Sequence, residues 1–264
     1  MPLNIKTRLF VILFTLGFIG ILSFLLVDLA ALVASFPVPP GTEPPVSTTA
    51  LKLLSLIQPT VLLAIAVVIG VFLAPRVGLA SPFAESLAAG RSDVQVLKSQ
   101  VLPGVLGGAV GGMAILVAAA VFRSLITTEL VERLTNFGKL LPLATRFLYG
   151  GLTEELLLRW GLMTLLVWVT WRLFERQQTT PTAASFFVAI LVSSVVFGIL
   201  HLPIAVMLLG GPTPAIVVYV IVANSLFGIV AGYLYWKYGL ESAMIAHILA
   251  HVVMAVASYA GLYF

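Results

Sequence analysis

The chain has no cysteine among its 264 residues. That excludes a disulfide framework, a thiolate metal centre and a cysteine nucleophile, and it leaves the redox compartment open. Charge is scarce as well: Asp, Glu, Lys and Arg supply 9% of the residues against 61% hydrophobic ones, and the mean hydropathy is +1.14. No ordinary soluble domain has that balance, so the chain reads as a multi-spanning membrane protein. The net charge of +4 comes mostly from Lys and Arg in loops, a topology signal and an affinity for lipid surfaces rather than a nucleic-acid footprint. No nucleic-acid partner is expected, and the chemistry available narrows to Glu, His, Asn, Ser and Thr.

The apolar runs predict an all-α polytopic bundle of about seven transmembrane spans. They are about Leu9 to Phe36, Leu51 to Ala74, Val101 to Phe122, Leu143 to Leu173, Ala183 to His201 or onward past Pro203 to Leu209, Pro214 to Trp236, and Leu240 to the C-terminus. The first follows Lys6 and Arg8 and is too long for a signal-peptide core, which places the N-terminus inside and Asp28 at the far interface. Pro37 to Pro45 reads as a non-cytoplasmic loop, and Gly210-Gly211-Pro212 closes the fifth span. Pro75 to Gln100 is polar enough for a cytoplasmic loop holding a short surface helix, and Arg123 to Lys139 predicts an amphipathic helix lying at the interface. This topology keeps Lys6, Arg8, Arg76, Arg91, Lys98, Arg172, Arg176 and Lys237 on the cytoplasmic side, with Arg123, Arg133, Lys139 and Arg146 running against the rule. The third span is rich in glycine, and the pairs Gly107 with Gly111 and Gly108 with Gly112 allow close helix approach. The division expected is residues 1–140 as N-terminal membrane helices with the interfacial segment, and residues 141–264 as a second helix bundle, the one that holds all three histidines.

Ionisable groups inside the fourth span need a reason, because each costs roughly 2.5 to 3.5 kcal/mol at a helix centre on insertion scales. The run Thr153-Glu154-Glu155-Leu156-Leu157-Leu158-Arg159 holds three of them. At about 100° per residue, Glu155 and Arg159 share a face as an acid-first i,i+4 pair, whereas Glu154 points about 140° away from Arg159. One glutamate is thus held by its own helix. The other is left as a candidate general base or acid.

All three histidines, His201, His247 and His251, also fall inside apolar spans of this second half. His247 and His251 are i,i+4 neighbours, and Phe197 lies four residues before His201, where it can pack over the ring. Counting about 1.5 Å per residue puts these groups within roughly 10 Å of one level. A single buried His is more often a satisfied core residue, and Glu155 with Arg159 alone could be helix glue. Their coincidence in four neighbouring spans favours an intramembrane functional site. Asn224, near Gly228 and Gly232, reads instead as an interhelical hydrogen bond beside a packing seam.

Glu154-Glu155-x-x-x-Arg159, then Phe197-x-x-x-His201, then His247-x-x-x-His251 preceded by Phe227-Gly-Ile-Val-Ala-Gly-Tyr-Leu-Tyr-Trp-Lys-Tyr-Gly-Leu-Glu241, resemble in order and spacing the CPBP (CAAX protease and bacteriocin-processing, or Abi) intramembrane endopeptidases. The resemblance covers about Leu141 to Val256. It implies that Glu154 activates a water, that His201 helps hold that water, and that His247 and position 251 line the site and stabilise the oxyanion. Position 251 departs from the family pattern, being His where Asn or Asp is usual. An i,i+4 histidine pair is also the spacing of helical zinc sites, so Glu154, His201, His247 and His251 are candidate ligands for Zn²⁺. The reading taken is metal-free catalysis by glutamate and water.

The expected function is that of a glutamate-dependent endopeptidase acting on a membrane-associated substrate: a CAAX-type prenylated protein, a leader peptide or a membrane-anchored partner. Glu155 is expected to be fixed by Arg159, and His247 with His251 to donate to the oxyanion. Two other classes remain. A proton-coupled transporter would spread its titratable groups through the membrane depth, and a non-catalytic scaffold would be indifferent to Glu154→Gln.

Overall fold

The computed structural model describes residues 2–34, 47–209 and 213–262. Among the described residues seven helices are long and apolar enough to cross a membrane: Leu3–Leu26, Thr49–Val77, Val94–Leu125, Leu143–Phe174, Ala183–Val206, Pro214–Lys237 and Leu240–Tyr259. Among the described residues there is no strand, and the chain is an all-α multi-pass integral membrane protein. Helices satisfy their own backbone groups, which a bilayer core demands. Large apolar side chains such as Val110, Leu191 and Val195 accordingly face outward.

Several boundaries differ from the sequence reading. The first span ends at Leu26 rather than Phe36, and Asp28 begins a short separate helix, Leu29–Ala34, by accepting from the Ala31 N–H at 3.1 Å. The third span starts at Val94, because the Asp93 carboxylate caps it by accepting from Gln95 N–H at 3.1 Å. Lys98 and Gln100 therefore lie inside the helix. Between the second and third spans, Pro82–Ala88 is the expected short helix, but it is tucked in, with Ala84, Ser86 and Ala88 buried. The amphipathic helix is Thr128–Leu140. The loop over Pro37 to Pro45 and the closing Gly210-Gly211-Pro212 lie outside the described residues.

The fourth span is the centre of the bundle, flanked by the first, second, fifth and seventh. Close approach there depends on small residues. On the first span, a side chain at Gly20 would overlap Thr153 and the Leu148 carbonyl, and Thr153 donates to the Gly17 carbonyl at 2.7 Å. Trp160, fully buried, sits where a side chain at Gly70 of the second span would be. On the third span the glycines work as two faces: Gly108 and Gly112 meet the seventh span at Ala246, Leu249, Ala250 and Val253, while Gly107 and Gly111 meet Leu234 and Phe227 of the sixth. Gly228 and Gly232 form the expected seam, packing on Ser194 and Ile190 of the fifth span. Asn224 does not bridge helices, since its amide donates to Val220 of its own helix at 2.8 Å.

Candidate active site

The glutamate pair is built on an unusual piece of backbone. The fourth span is wound as π-helix over Arg146–Glu154 and again over Leu156–Met163. With i→i+5 bonding each turn holds more residues than in an α-helix, so each residue advances less around the axis. The divergence of Glu154 from Arg159 expected for an α-helix is lost, and both glutamates turn towards the same imidazole on the seventh span. His247 Nδ1 lies 2.7 Å from Glu155 Oε1, and His247 Nε2 lies 3.8 Å from Glu154 Oε2.

The two carboxylates differ in everything else. Glu155 and Arg159 are both completely buried, with Arg159 Nε 3.3 Å from Glu155 Oε2. Neither of those two atoms makes an aligned hydrogen bond, so the pair is a charge contact. Arg159 is also held by donating to the Gly228 carbonyl at 3.1 Å and by lying 5.0 Å from the centre of the Phe197 ring. Glu154 has 18% of its side chain exposed. Its separation from His247 Nε2 exceeds a direct hydrogen bond and is of the kind that a shared water bridges.

Hydrogen bonding assigns the tautomers. Glu155, ion-paired with Arg159, is an acceptor, so His247 carries its proton on Nδ1 and presents a lone pair at Nε2 towards Glu154. His201 ends the helix Ala183–Leu200, where Pro203 cannot supply the next N–H. Its backbone N–H bonds the Gly198 carbonyl at 3.2 Å, and its ring Nδ1–H donates to the Phe197 carbonyl at 2.8 Å. His201 Nε2 is likewise an acceptor. Phe197 packs edge-on against His201 at 4.7 Å and reaches His247 at 5.8 Å, which joins the second motif to the third. His251 stacks on His247 with ring centres 5.0 Å apart and planes 17° from parallel.

The structure thus gathers Glu154, Glu155, Arg159, His247 and His251 directly, and His201 through Phe197. The candidate metal ligands Glu154, His201, His247 and His251 do not form a metal centre: among the described residues no three His, Cys, Asp or Glu side chains are grouped to hold an ion. Zinc needs three or four such donors converging at about 2.0–2.3 Å, and this ligand set does not fit it. Two contributors were given no role in the site by the sequence reading, which quoted Phe227 only as part of the third motif and passed over Gly150. Phe227, 4.5 Å from the His247 ring, walls the site, and Gly150 lies under the tips of both seventh-span rings. The Gly150-Gly151 doublet just before a charged run was the available signal.

No curated protein and no solved structure matches the chain. A family model, type II CAAX prenyl endopeptidase Rce1-like, matches residues 134–253, the stretch that holds all six side chains of the cluster. Over that segment the chain is similar to the Rce1-like type II CAAX prenyl endopeptidases, in agreement with the resemblance of its three motifs to the CPBP-type intramembrane proteases.

Proposed function

We propose that this protease cleaves its membrane-associated substrate, a CAAX-type prenylated protein, leader peptide or membrane-anchored partner, with a water activated by Glu154 and no metal. The observation that carries this reading is the asymmetry around His247: one carboxylate is locked and sealed on Nδ1, and the other is accessible and unlocked opposite Nε2. A water between Glu154 and His247 Nε2 gives one proton to Glu154 as its oxygen attacks the scissile carbonyl carbon. The carbonyl π electrons move to oxygen, and on collapse the C–N bond breaks while Glu154 returns the proton to the leaving amine. The water's other O–H donates to the lone pair of His247 Nε2, which aims the oxygen, and His201, joined to His247 through Phe197, bounds that position.

This assigns His247 differently from the family analogy. With its proton on Nδ1 it has no N–H to offer the oxyanion, and His251 supplies that donor. Glu155 and Arg159 keep His247 in this tautomer, much as a buried carboxylate orients the histidine in other hydrolytic sites. A proton carrier would spread such groups through the depth of the bundle, whereas these surround one ring.

The test pairs two isosteric changes. Glu154→Gln should lower peptide turnover by about 10²- to 10⁴-fold with an unchanged unfolding midpoint, since the amide fills the same volume but cannot take the proton. Glu155→Gln should lose stability along with activity, because Arg159 is left uncompensated in the interior. Turnover in liposomes, with and without chelator, is measured beside thermal unfolding. Equal destabilisation of the two variants, or activity that disappears with the chelator, would sink this division of roles.

A further inference from the structure

We infer that Gly150 is a positioning residue: its missing side chain is the seat on which the His251 ring rests. A Cβ built on Gly150 would stand 2.6 Å from His251 Nε2, 3.2 Å from its Cδ2 and 3.4 Å from His247 Nε2. The first distance is closer than a carbon can approach, and the three nearest atoms all belong to seventh-span imidazoles. Gly150 is buried in the π-wound stretch, one turn before Glu154.

Its neighbour has a different job. A Cβ at Gly151 would stand 2.3 Å from Ile248 Cγ1, in the aliphatic packing between the two spans. Substitution at 151 therefore strikes the helix-packing seam. Substitution at 150 strikes first the far end of the His251 ring, which yields by rotating about its own side-chain bonds, while His247, held by Glu155, is met only at van der Waals distance. A methyl group at 150 should leave the bundle intact, and Ala is the better helix former. It should also lift His251 out of its stack on His247 and move the N–H that the proposed mechanism sends to the oxyanion. The catalytic consequence rests on that mechanism; the seat itself does not.

Two measurements on the full chain in detergent keep these apart. The first follows diethylpyrocarbonate modification of each histidine by peptide mass mapping. Gly150→Ala should raise the rate at His251 at least threefold without lowering the unfolding midpoint, while Gly151→Ala should lower the midpoint. An unchanged rate at His251 overturns the seat, whether or not the chain cleaves peptides. The second is a double-mutant cycle on turnover. Gly150→Ala should cost at least tenfold when residue 251 is histidine and less than twofold when combined with His251→Asn, whose side chain ends short of the seat. The same loss in both backgrounds would place Gly150 against the substrate instead, and no loss in either would remove its role in positioning. Absence of turnover in the unmodified chain would count against the proposed function and leave the modification result to decide the seat.

Discussion

Two glutamate clusters meet along the seventh span, and they are built in opposite ways. At its first turn, Glu241 Oε1 accepts from Ser81 Oγ at 2.8 Å and from the backbone N–H groups of Phe83 and Ala84 at 3.0 Å each. That oxygen caps the short helix Pro82–Ala88, and Leu240 N–H to Ala80 at 3.1 Å and Ser242 Oγ to Gln100 at 2.9 Å tie the same turn down. Midway along the helix, Glu154 and Glu155 meet a titratable ring rather than backbone donors. Among the described residues, buried Arg159 Nη1 and Nε and Glu155 Oε2 have no hydrogen-bond partner there, and the second oxygen of Glu241 has none either, so the contrast lies in what the paired oxygens meet. A carboxylate that spends its acceptor on fixed backbone N–H groups holds structure. One that faces a ring nitrogen across 3.8 Å, with part of its surface exposed, suits the proton transfer proposed for it.

The sharpest test of that contrast exchanges one partner in each cluster. Arg159→Met leaves Glu155 charged and sealed away, and should cost about 3 to 5 kcal/mol of stability, as breaking a buried pair does. Glu241→Gln keeps an acceptor oxygen for the cap and loses only the charge on it, so about 1 kcal/mol is expected, with turnover within a few-fold of the unmodified chain. Chemical unfolding in detergent measures both. Equal losses would mean that the two clusters are the same kind of structural knot.

A smaller effect is expected at His251. His251→Asn keeps an N–H donor on the same helix face, so turnover should fall by less than the roughly 10² that removal of a whole oxyanion donor costs. Metal content is determined on the same sample. A dead variant that has shed a stoichiometric zinc ion would overturn the metal-free reading, while an active variant without metal removes His251 from any essential ligand set.

The spans were legible because a bilayer forces long apolar helices, and the glycine spacing of the third span correctly signalled close packing. The identity of the cluster was legible too, since intramembrane Glu, Arg and His are costly enough to stand out. What the sequence hid was winding. The expectation that Glu154 turns away from Arg159 used the α-helical angle, and nothing in Thr153 to Arg159 announces π-helix. Asn224 misled for a related reason: an amide in an apolar span must bond something, but its own Val220 carbonyl served as well as a neighbouring helix. Glu241 passed as one letter of a motif, because its partners at Ser81, Phe83 and Ala84 are some 160 positions away and two of them offer only backbone.

The smallest effect is a pH dependence in the first-turn cluster. Glu85, on the short helix outside the spans, has its pKa raised by burial; the Ser81 N–H at 3.1 Å offsets part of this, and the nearby charge of Glu241 adds to it. Arg91 and Asp93 line the same shallow cavity without displacing that balance. The folded chain therefore holds this proton more tightly than the unfolded chain, whose Glu titrates near about 4.3. The sign follows from linkage: where the folded state binds more protons, stability falls as pH rises. Glu85 should be neutral to stability below its unfolded value and should weaken the fold progressively as pH climbs through its raised value. Glu85→Gln keeps an acceptor for Ser81 and removes the charge facing Glu241. The unfolding midpoints of the two chains should coincide near pH 4 and separate towards pH 7, with the variant the more stable. Midpoints that stay parallel across this range would show that Glu85 and Glu241 do not oppose each other, and the first-turn cluster would then be held by its hydrogen bonds alone.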